Sequence, residues 1–213
     1  FQKDKKLNTK FGQVNLFKAT KEGDKWVNIT ALPLNSKSYS TSSPAISKDG
    51  KTLYFASNRA NSVGGIDLYR TNMDASGRFS RPVNMGRDIN TTGNEMFPFV
   101  ASDGKLYFSS DGHPGLGKLD VFVATRSQGV IRVENMGQPV NSPADDFGYI
   151  LIDTDKGFLA SNRAGGKGQS LRKTPKTLMT QPILMEIMHL KLCAIFWPEP
   201  FRLTNRHPLR WIR

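Results

Sequence analysis

The sequence SPAISKDGKTLYFASNR, at residues 43–59, decides the fold, because the chain contains two further copies of it. Residues 97–111 read FPFVASDGKLYFSSD, and residues 147–163 read FGYILIDTDKGFLASNR. The first two copies have their aspartate–glycine pairs at Asp49-Gly50 and Asp103-Gly104, which are 54 positions apart. A period slightly above 50 residues, with several short apolar runs in each unit, predicts a β-propeller or a similar array of sheets.

The residue types inside each unit are typical of strands joined by tight hairpins. An Asp-Gly pair supplies the positive φ that a tight turn needs, so we expect hairpins at Gly50 and Gly104. The continuous apolar runs at residues 53–56 and 106–108 predict strands that are covered on both faces. We therefore predict an all-β fold, a partial and open propeller of about three four-stranded antiparallel blades, over residues 1–168.

Polar residues recur at fixed places in the units, and we expect them to be structural. Asp67 and Asp120 each follow a glycine-rich loop. We predict that Asp67 accepts hydrogen bonds from the amides of that loop or from Arg59, which lies eight residues earlier. The positions to which we assign a structural role in the repeat are Asp49, Gly50, Arg59, Asp67, Asn90, Asp103, Gly104, Asp120, Asn141 and Arg163.

The repeated pattern resembles a known family. Residues 43–69, with the segments SKDGKTLYFASNR and GGIDLY, look like the WD40-like propeller repeat of the TolB type. The segments NMGRDINT at residues 84–91 and VNSPADDFG at residues 140–148 narrow this resemblance. They are similar to segments of Bacteroidetes envelope proteins of the OmpA family. This family includes PorE-like proteins of the type IX secretion system. The resemblance covers about residues 12–168.

The resemblance implies a location and a set of partners. Proteins of this kind are scaffolds of the periplasm that are associated with the outer membrane, and they bind other envelope or secretion-system proteins. Peptidoglycan would be bound only through an OmpA-like domain, which these residues do not include. If the strand order is the conventional one, we expect the partner to bind at the loops around residues 36–43, 90–96 and 142–147.

Charge and composition restrict the other classes of function. The net charge is +12, but residues 171–213 carry eight Lys/Arg against two Asp/Glu, so half of the excess belongs to the C-terminal segment. Few aromatic residues accompany the basic ones near the N-terminus, and we predict no nucleic-acid partner. A single cysteine, Cys193, excludes an internal disulfide. No apolar run reaches 18 residues, so we predict no transmembrane helix.

The repeat breaks inside its third unit, after Gly168. Residues 169–213 contain no glycine and no aspartate, whereas the rest of the chain is rich in both. We favour translation out of frame as the origin of this segment, because the break falls within a unit rather than between units. The alternative is a basic amphipathic tail with a helix between Pro182 and Pro198. On either account we predict that residues 169–213 form a tail outside the propeller. Because the sequence begins with Phe1 rather than methionine, we also expect it to be a piece of a longer protein.

No constellation of residues predicts catalysis. Residues 112–119 nearly spell a phosphate-binding P-loop, but Leu119 replaces the required hydroxyl and a strand is predicted to follow. We expect His113 to be an exposed loop residue, and Asp145 and Asp146 to cap turns, because the spacing of an EF-hand is absent. We therefore predict no enzyme, no cofactor and no metal. The alternative is an accessory propeller of an envelope hydrolase or peptidase whose catalytic domain is missing from this fragment.

Overall fold

The computed structural model describes residues 13–153 and 156–164, together with the backbone of two strands at residues 183–187 and 190–195. These residues form strands, turns and loops, and none of them is helical. The strands are β1 (Asn15–Glu22), β2 (Lys25–Ala31), β3 (Thr41–Ile46), β4 (Thr52–Ser57), β5 (Asp67–Asn72), β6 (Val83–Asn84), β7 (Glu95–Val100), β8 (Leu106–Ser110), β9 (Asp120–Ser127), β10 (Val130–Asn135), β11 (Asp146–Leu151), β12 (Gly157–Ser161), β13 (Ile183–Ile187) and β14 (Leu190–Ile195).

The strands form four antiparallel sheets. Sheet I has the order β13-β14-β1-β2, sheet II the order β3-β4-β5-β6, sheet III the order β7-β8-β9-β10, and sheet IV consists of β11 and β12. The all-β class is therefore confirmed, and the four-stranded antiparallel sheet that we predicted is present in sheets II and III, which contain the first two copies of the repeat. The arrangement of the sheets as a propeller stays a prediction.

Sheet I contains two strands from the segment that we expected to lie outside the fold. β14 pairs antiparallel with β1, from Asn15 opposite Ile195 to Ala19 opposite Lys191. For residues 183–187 and 190–195 the alternative of a helix is wrong, because both segments are strands, whereas the division of the chain at residue 168 stays a prediction. The physical reason is the free edge of β1, whose backbone N–H and C=O groups gain partners from the β13–β14 hairpin. The remaining residues after 164 lie outside the described part of the chain, and their out-of-frame origin stays a prediction.

Consecutive sheets contact one another in the same way. β3 lies against β13, β14 and β1, β7 lies against β3, β4 and β5, and β11 lies against β7, β8 and β9. The first strand of each sheet thus packs across the first three strands of the sheet before it. One packing relation therefore recurs at three interfaces, as expected when each repeat buries its apolar face on its neighbour.

Apolar side chains fill these interfaces at matching positions. The cluster between sheets I and II is built around Phe55 and Tyr69, whose rings lie 5.9 Å apart. The cluster between sheets II and III is built around Phe108 and Phe122, again 5.9 Å apart. Phe55 and Phe108 belong to the two apolar runs of the sequence, and both are fully buried. The prediction of covered strands at residues 53–56 and 106–108 is confirmed.

The hairpins between the first and second strands also follow the sequence prediction. Gly50 has a φ of 71° and Gly104 a φ of 84°, in the left-handed region that favours glycine. The preceding aspartate completes each turn, because its carboxylate accepts a hydrogen bond from the N–H group of Lys51 or Lys105, at 3.0 and 3.1 Å. Asp49-Gly50 and Asp103-Gly104 therefore close the hairpins.

The first strands of sheets II, III and IV each contain a bulge that the sequence did not reveal. The pairing register shifts within β3, β7 and β11, and the residue at the shift has a positive φ: 49° at Ser43, 53° at Phe97 and 64° at Gly148. Only the third of these is a glycine. A residue with a side chain in this region is strained, and here proline follows both Ser43 and Phe97.

Sheet IV leaves part of its apolar face open. The side chain of Phe158 is 63 % exposed, and Ile152 beside it is 66 % exposed. Tyr107 takes the equivalent position in sheet III, where it is 8 % exposed and packs 5.1 Å from the ring of Tyr149 in sheet IV. The two positions differ because sheet IV covers Tyr107, whereas no described residue covers Phe158 to the same extent.

We predict that the substitution Ser43→Gly stabilises the protein by about 1 kcal/mol. It removes the strain of a left-handed serine and a buried hydroxyl that has no hydrogen-bond partner among the described residues. The free energy of unfolding in urea measures the effect. The same substitution at Ser47, which forms hydrogen bonds in the hairpin, is the control and lowers stability. An unchanged or lower stability of Ser43→Gly contradicts the strain at the bulge.

Candidate protein-interaction surface

A buried asparagine clamps each linker onto the sheet that precedes it. Asn90 Oδ1 accepts a hydrogen bond from the N–H of Leu68 at 2.8 Å, and its Nδ2 donates to the carbonyl of the same residue at 3.0 Å. Asn141 does the same to Val121, with both distances 2.8 Å. Asn35 repeats the arrangement on Leu16, at 2.8 and 2.7 Å. We call these contacts the asparagine clamps.

A second asparagine supports two of the clamps. Nδ2 of Asn90 also donates to Oδ1 of Asn84 at 2.8 Å, and Nδ2 of Asn141 donates to Oδ1 of Asn135 at 2.8 Å. In each pair the supporting residue lies six positions earlier, at the start of an Asn-Met-Gly segment. These supporting residues were not among the predicted structural positions, although the recurring six-residue spacing is a signal that could identify them.

The aspartates at the start of the third strands organise the glycine-rich loops. Asp67 accepts hydrogen bonds from the amides of Val63 and Gly64, at 2.6 and 3.1 Å, as we predicted. It also accepts one from Nδ2 of Asn84 at 2.6 Å. Asp120 holds its own loop in the same manner, through the amides of Leu116 and Gly117.

Arg59, the alternative donor in that prediction, forms its hydrogen bonds with other acceptors. Its guanidinium group donates instead to the carbonyl of Leu34 at 3.3 Å and to Oγ of Ser57 at 3.2 Å. It also lies 4.8 to 4.9 Å from the centres of three aromatic rings, those of Tyr39, Phe55 and Tyr69. A cation held over aromatic faces in a partly buried site gains electrostatic stabilisation.

The carbonyl bound by Arg59 belongs to the residue before an asparagine clamp, and the other repeats bind the same carbonyl. Arg163 donates to the carbonyl of Val140, which precedes Asn141. His113 Nε2 lies 2.8 Å from the carbonyl of Ile89, which precedes Asn90. Because a carbonyl only accepts, this nitrogen carries the proton. The expectation of an exposed His113 is wrong: its ring is half-buried, 5.0 Å from that of Phe122.

Acidic residues at the start of the first strands accept hydrogen bonds from the linkers that lead into those strands. Glu95 is fully buried and accepts hydrogen bonds from the N–H and hydroxyl groups of Thr91 and from the hydroxyl of Ser110. Asp146 is also fully buried and pairs with Arg163. Burial by itself raises the pKa of Asp146, but hydrogen bonds from Ser161, Arg163 and Ser142 together outweigh it and lower the pKa.

Two glycines let neighbouring sheets approach closely at this end. A Cβ atom on Gly117 would lie 1.9 Å from the carbonyl oxygen of Ala144. A Cβ atom on Gly64 would lie 2.4 Å from the carbonyl oxygens of Thr91 and Gly93. The glycine-rich loop of one sheet therefore lies directly on the linker that enters the next sheet, and no side chain fits between them.

These contacts define two different ends of the sheets. The loops around residues 36–43, 90–96 and 142–147 lie at the end where first strands begin, which we call the loop end. The opposite end carries the hairpins that join first to second strands and third to fourth strands, and we call it the hairpin end. At the loop end, hydrogen bonds fix the backbone, while side chains such as Lys37, Thr92 and Leu116 are exposed. The loop end is thus a rigid surface of varied side chains.

The described residues were also compared with the requirements of a metal site, a P-loop and a transmembrane helix. They hold no group of three or more His, Cys, Asp or Glu side chains placed to bind a metal ion. Asp145 and Asp146 instead accept hydrogen bonds from the backbone amides of Leu119 and Ser142, as predicted for turn caps. Strand β9 begins at Asp120, directly after the P-loop-like segment. In this part of the chain no helix is long and apolar enough to cross a membrane.

Comparison of the chain with models of protein families, with curated proteins and with solved structures finds no match. A function for the chain is therefore inferred from the resemblance of its repeats and from the geometry of its sheets.

We predict that Asn90→Ala lowers the free energy of unfolding by about 2 kcal/mol, because the buried N–H group of Leu68 loses its partner and the Leu68 carbonyl keeps only the hydrogen bond from the N–H of Met85. Urea unfolding of the purified chain measures this change. The control is Asn72→Ala, at an exposed asparagine in β5, which we expect to change stability by less than about 0.5 kcal/mol. Equal effects of the two substitutions contradict the role of the clamp.

We predict that Asp146→Asn costs about 2 kcal/mol at pH 7, since it removes a buried charge-assisted pair with Arg163. The folded state lowers the pKa of Asp146, so its contribution is complete above the ordinary value of about 4 and is lost as the pH falls below it. The difference in stability between the native protein and the variant therefore shrinks in acid. Asp88→Asn, at an exposed aspartate, is the control. A difference that is constant from pH 7 to pH 3 contradicts the pairing.

Proposed function

We propose that the chain is a propeller-type scaffold of the bacterial cell envelope, and that it acts by binding other proteins rather than by catalysis. Its proposed location is the periplasm, in association with the outer membrane. Its proposed partners are other envelope or secretion-system proteins, with any contact to peptidoglycan made through a domain outside these residues. The resemblance of residues 12–168 to WD40-like repeats of the OmpA and PorE-like envelope proteins supports this proposal.

One observation carries the propeller assignment: the asparagine clamp recurs at Asn35, Asn90 and Asn141 with the same contacts. The recurrence of the clamp, together with the same packing of each first strand on the sheet before it, supports a regular array of sheets of the kind that a propeller contains. The open apolar face around Phe158 fits this arrangement, because another sheet of the same kind would cover it as sheet IV covers Tyr107.

The rigid loop end is the surface on which we place the partner. Binding to a preformed surface avoids the entropic cost of ordering loops, so a clamped backbone favours affinity. The exposed side chain of Leu116 offers apolar area at this end, and the exposed Lys37 and Thr92 on the neighbouring loops offer polar groups. Protein interfaces combine both kinds of contact.

We test the proposal by site-specific photo-crosslinking in a Bacteroidetes host that exports the chain. A photoreactive amino acid replaces either Thr92 or Leu116 at the loop end, and Asp24, exposed in the turn between β1 and β2 of sheet I, is the control position. We expect discrete adducts with envelope or secretion-system proteins from positions 92 and 116, identified by mass spectrometry, and none from position 24. Adducts of equal yield from all three positions, or none from the loop end, contradict the proposal.

A further inference from the structure

A groove opens between sheets II and III toward the hairpin end. Its volume is about 270 Å³. Its apolar lining comes from both sheets and from the linker between them, and two arginines stand among these residues. The lining includes Tyr54, Arg70, Met85, Leu106, Arg126 and Ile131.

The two arginines lie on opposite walls of the groove. Side chains alternate along a strand, so Arg70 in β5 is on the same face as Leu68, which packs against sheet III. Arg126 in β9 is on the same face as Phe122 and Ala124, which pack against sheet II. Both arginines are exposed and come later in their strands than these buried residues, so both stand where the interface opens to solvent.

The charge of these arginines is not balanced by the groove. Its lining contains no aspartate and no glutamate. Among the described residues the ion pairs are those of Arg78, Lys105 and Arg163, so neither Arg70 nor Arg126 has a carboxylate partner there. The groove therefore combines an apolar floor with two free guanidinium groups.

The repeat does not require arginine at these positions. The asparagine clamps align Leu16, Leu68 and Val121, so Lys18 and Val123 are the equivalents of Arg70 in the neighbouring sheets. Met73 in sheet II is the equivalent of Arg126, four residues after the stacked aromatic ring in each case. Among the interfaces that the structure describes, only this one has an arginine on both sides. The two arginines are therefore not part of the structural pattern that the repeats share.

We propose that this groove binds a peptide segment of a partner protein in which one large apolar side chain lies next to carboxylates. The apolar side chain would fill the space over Met85, Leu106 and Ile131, and the carboxylates would pair with the two arginines. This inference rests on the proposed protein-binding function and adds a second contact surface, with a stated chemistry, at the end opposite the loop end.

The size and the chemistry of the groove select this occupant. At about 270 Å³ it is smaller than the 300–1,000 Å³ that a drug-sized small molecule occupies, and it suits a single large side chain. The planar guanidinium group binds a carboxylate through two parallel hydrogen bonds, which favours an acidic segment over a neutral one. The open side of the groove lets the backbone of the segment continue in both directions.

The experiment measures fluorescence anisotropy of the full chain with a labelled hexapeptide that carries one leucine between two glutamates. We expect saturable binding, weakened about tenfold by Arg70→Gln and again by Arg126→Gln, because each loses a charge-assisted hydrogen-bonded pair. The matched control is Arg132→Gln, since Arg132 is an exposed arginine in β10 that does not line the groove. Thermal unfolding confirms that the three variants are folded.

Two altered peptides test the two halves of the proposal. Glutamine in place of both glutamates removes the carboxylates, and alanine in place of leucine removes the apolar side chain; we expect each change to weaken binding about tenfold or more. Unchanged binding of either peptide overturns the proposal. So does an effect of Arg132→Gln equal to that of Arg70→Gln, or tighter binding of a labelled single-stranded oligonucleotide, which would indicate a general attraction of anions.

Failure here is distinguishable from failure of the proposed function. The photo-crosslinks report on positions 92 and 116 at the loop end, whereas the peptide titration reports on the groove at the hairpin end. Absent peptide binding with loop-end adducts present removes only the groove. Peptide binding that depends on Arg70 and Arg126, with no adducts at the loop end, removes the loop-end surface and keeps the groove.

Discussion

The asparagine clamp is the interaction on which the arrangement of the sheets depends. A linker that passes from the last strand of one sheet to the first strand of the next buries polar backbone groups, and each buried group needs a partner. The carboxamide of asparagine has a donor and an acceptor side by side, so it binds both backbone groups of one residue as a neighbouring strand would. Asn90 does this at Leu68, just beyond the end of the two-residue strand β6, and shares the Leu68 carbonyl with the N–H group of Met85. The linker is thereby fixed, and the next sheet begins at a defined position.

Local features of the fold were predictable from the sequence, and distant pairings were not. The hairpins at Gly50 and Gly104 depend on adjacent residues, so the Asp-Gly pairs predicted them. Asn90 and Asn141 were recognised as structural because they recur, but only the coordinates identify what they bind. The acceptor of Arg59 was not predicted, since this carbonyl lies 25 residues earlier in the chain. The strands of the C-terminal segment were missed because their pairing with β1 joins residues about 180 positions apart.

For the candidate interaction surface, the sequence predicted the loops that form it but not the contacts between sheets. The loops around residues 36–43, 90–96 and 142–147 were expected to form a surface, and they do lie at one end of the sheets. The role of His113 was not predictable. It binds the carbonyl that precedes an asparagine clamp, and in the other repeats an arginine makes this contact. The groove with Arg70 and Arg126 was also missed, since nothing in either strand indicates that the two arginines lie on opposite walls of one space. Apolar floors of this kind become visible only when the packing of two sheets is known.

The close approach at Gly64 and Gly117 has a consequence for how such a chain can change. Where a single methyl group would collide with the backbone of the next sheet, an added segment has no room, so the loop end tolerates little variation in length. The hairpin tips near Ser76 and Gly129 touch no such neighbour, and a Cβ atom on Gly129 would meet nothing within 4 Å. Epitope tags, fluorescent domains and the insertions that accumulate during evolution are therefore accommodated at those tips, where the chain can be lengthened without moving one sheet relative to another.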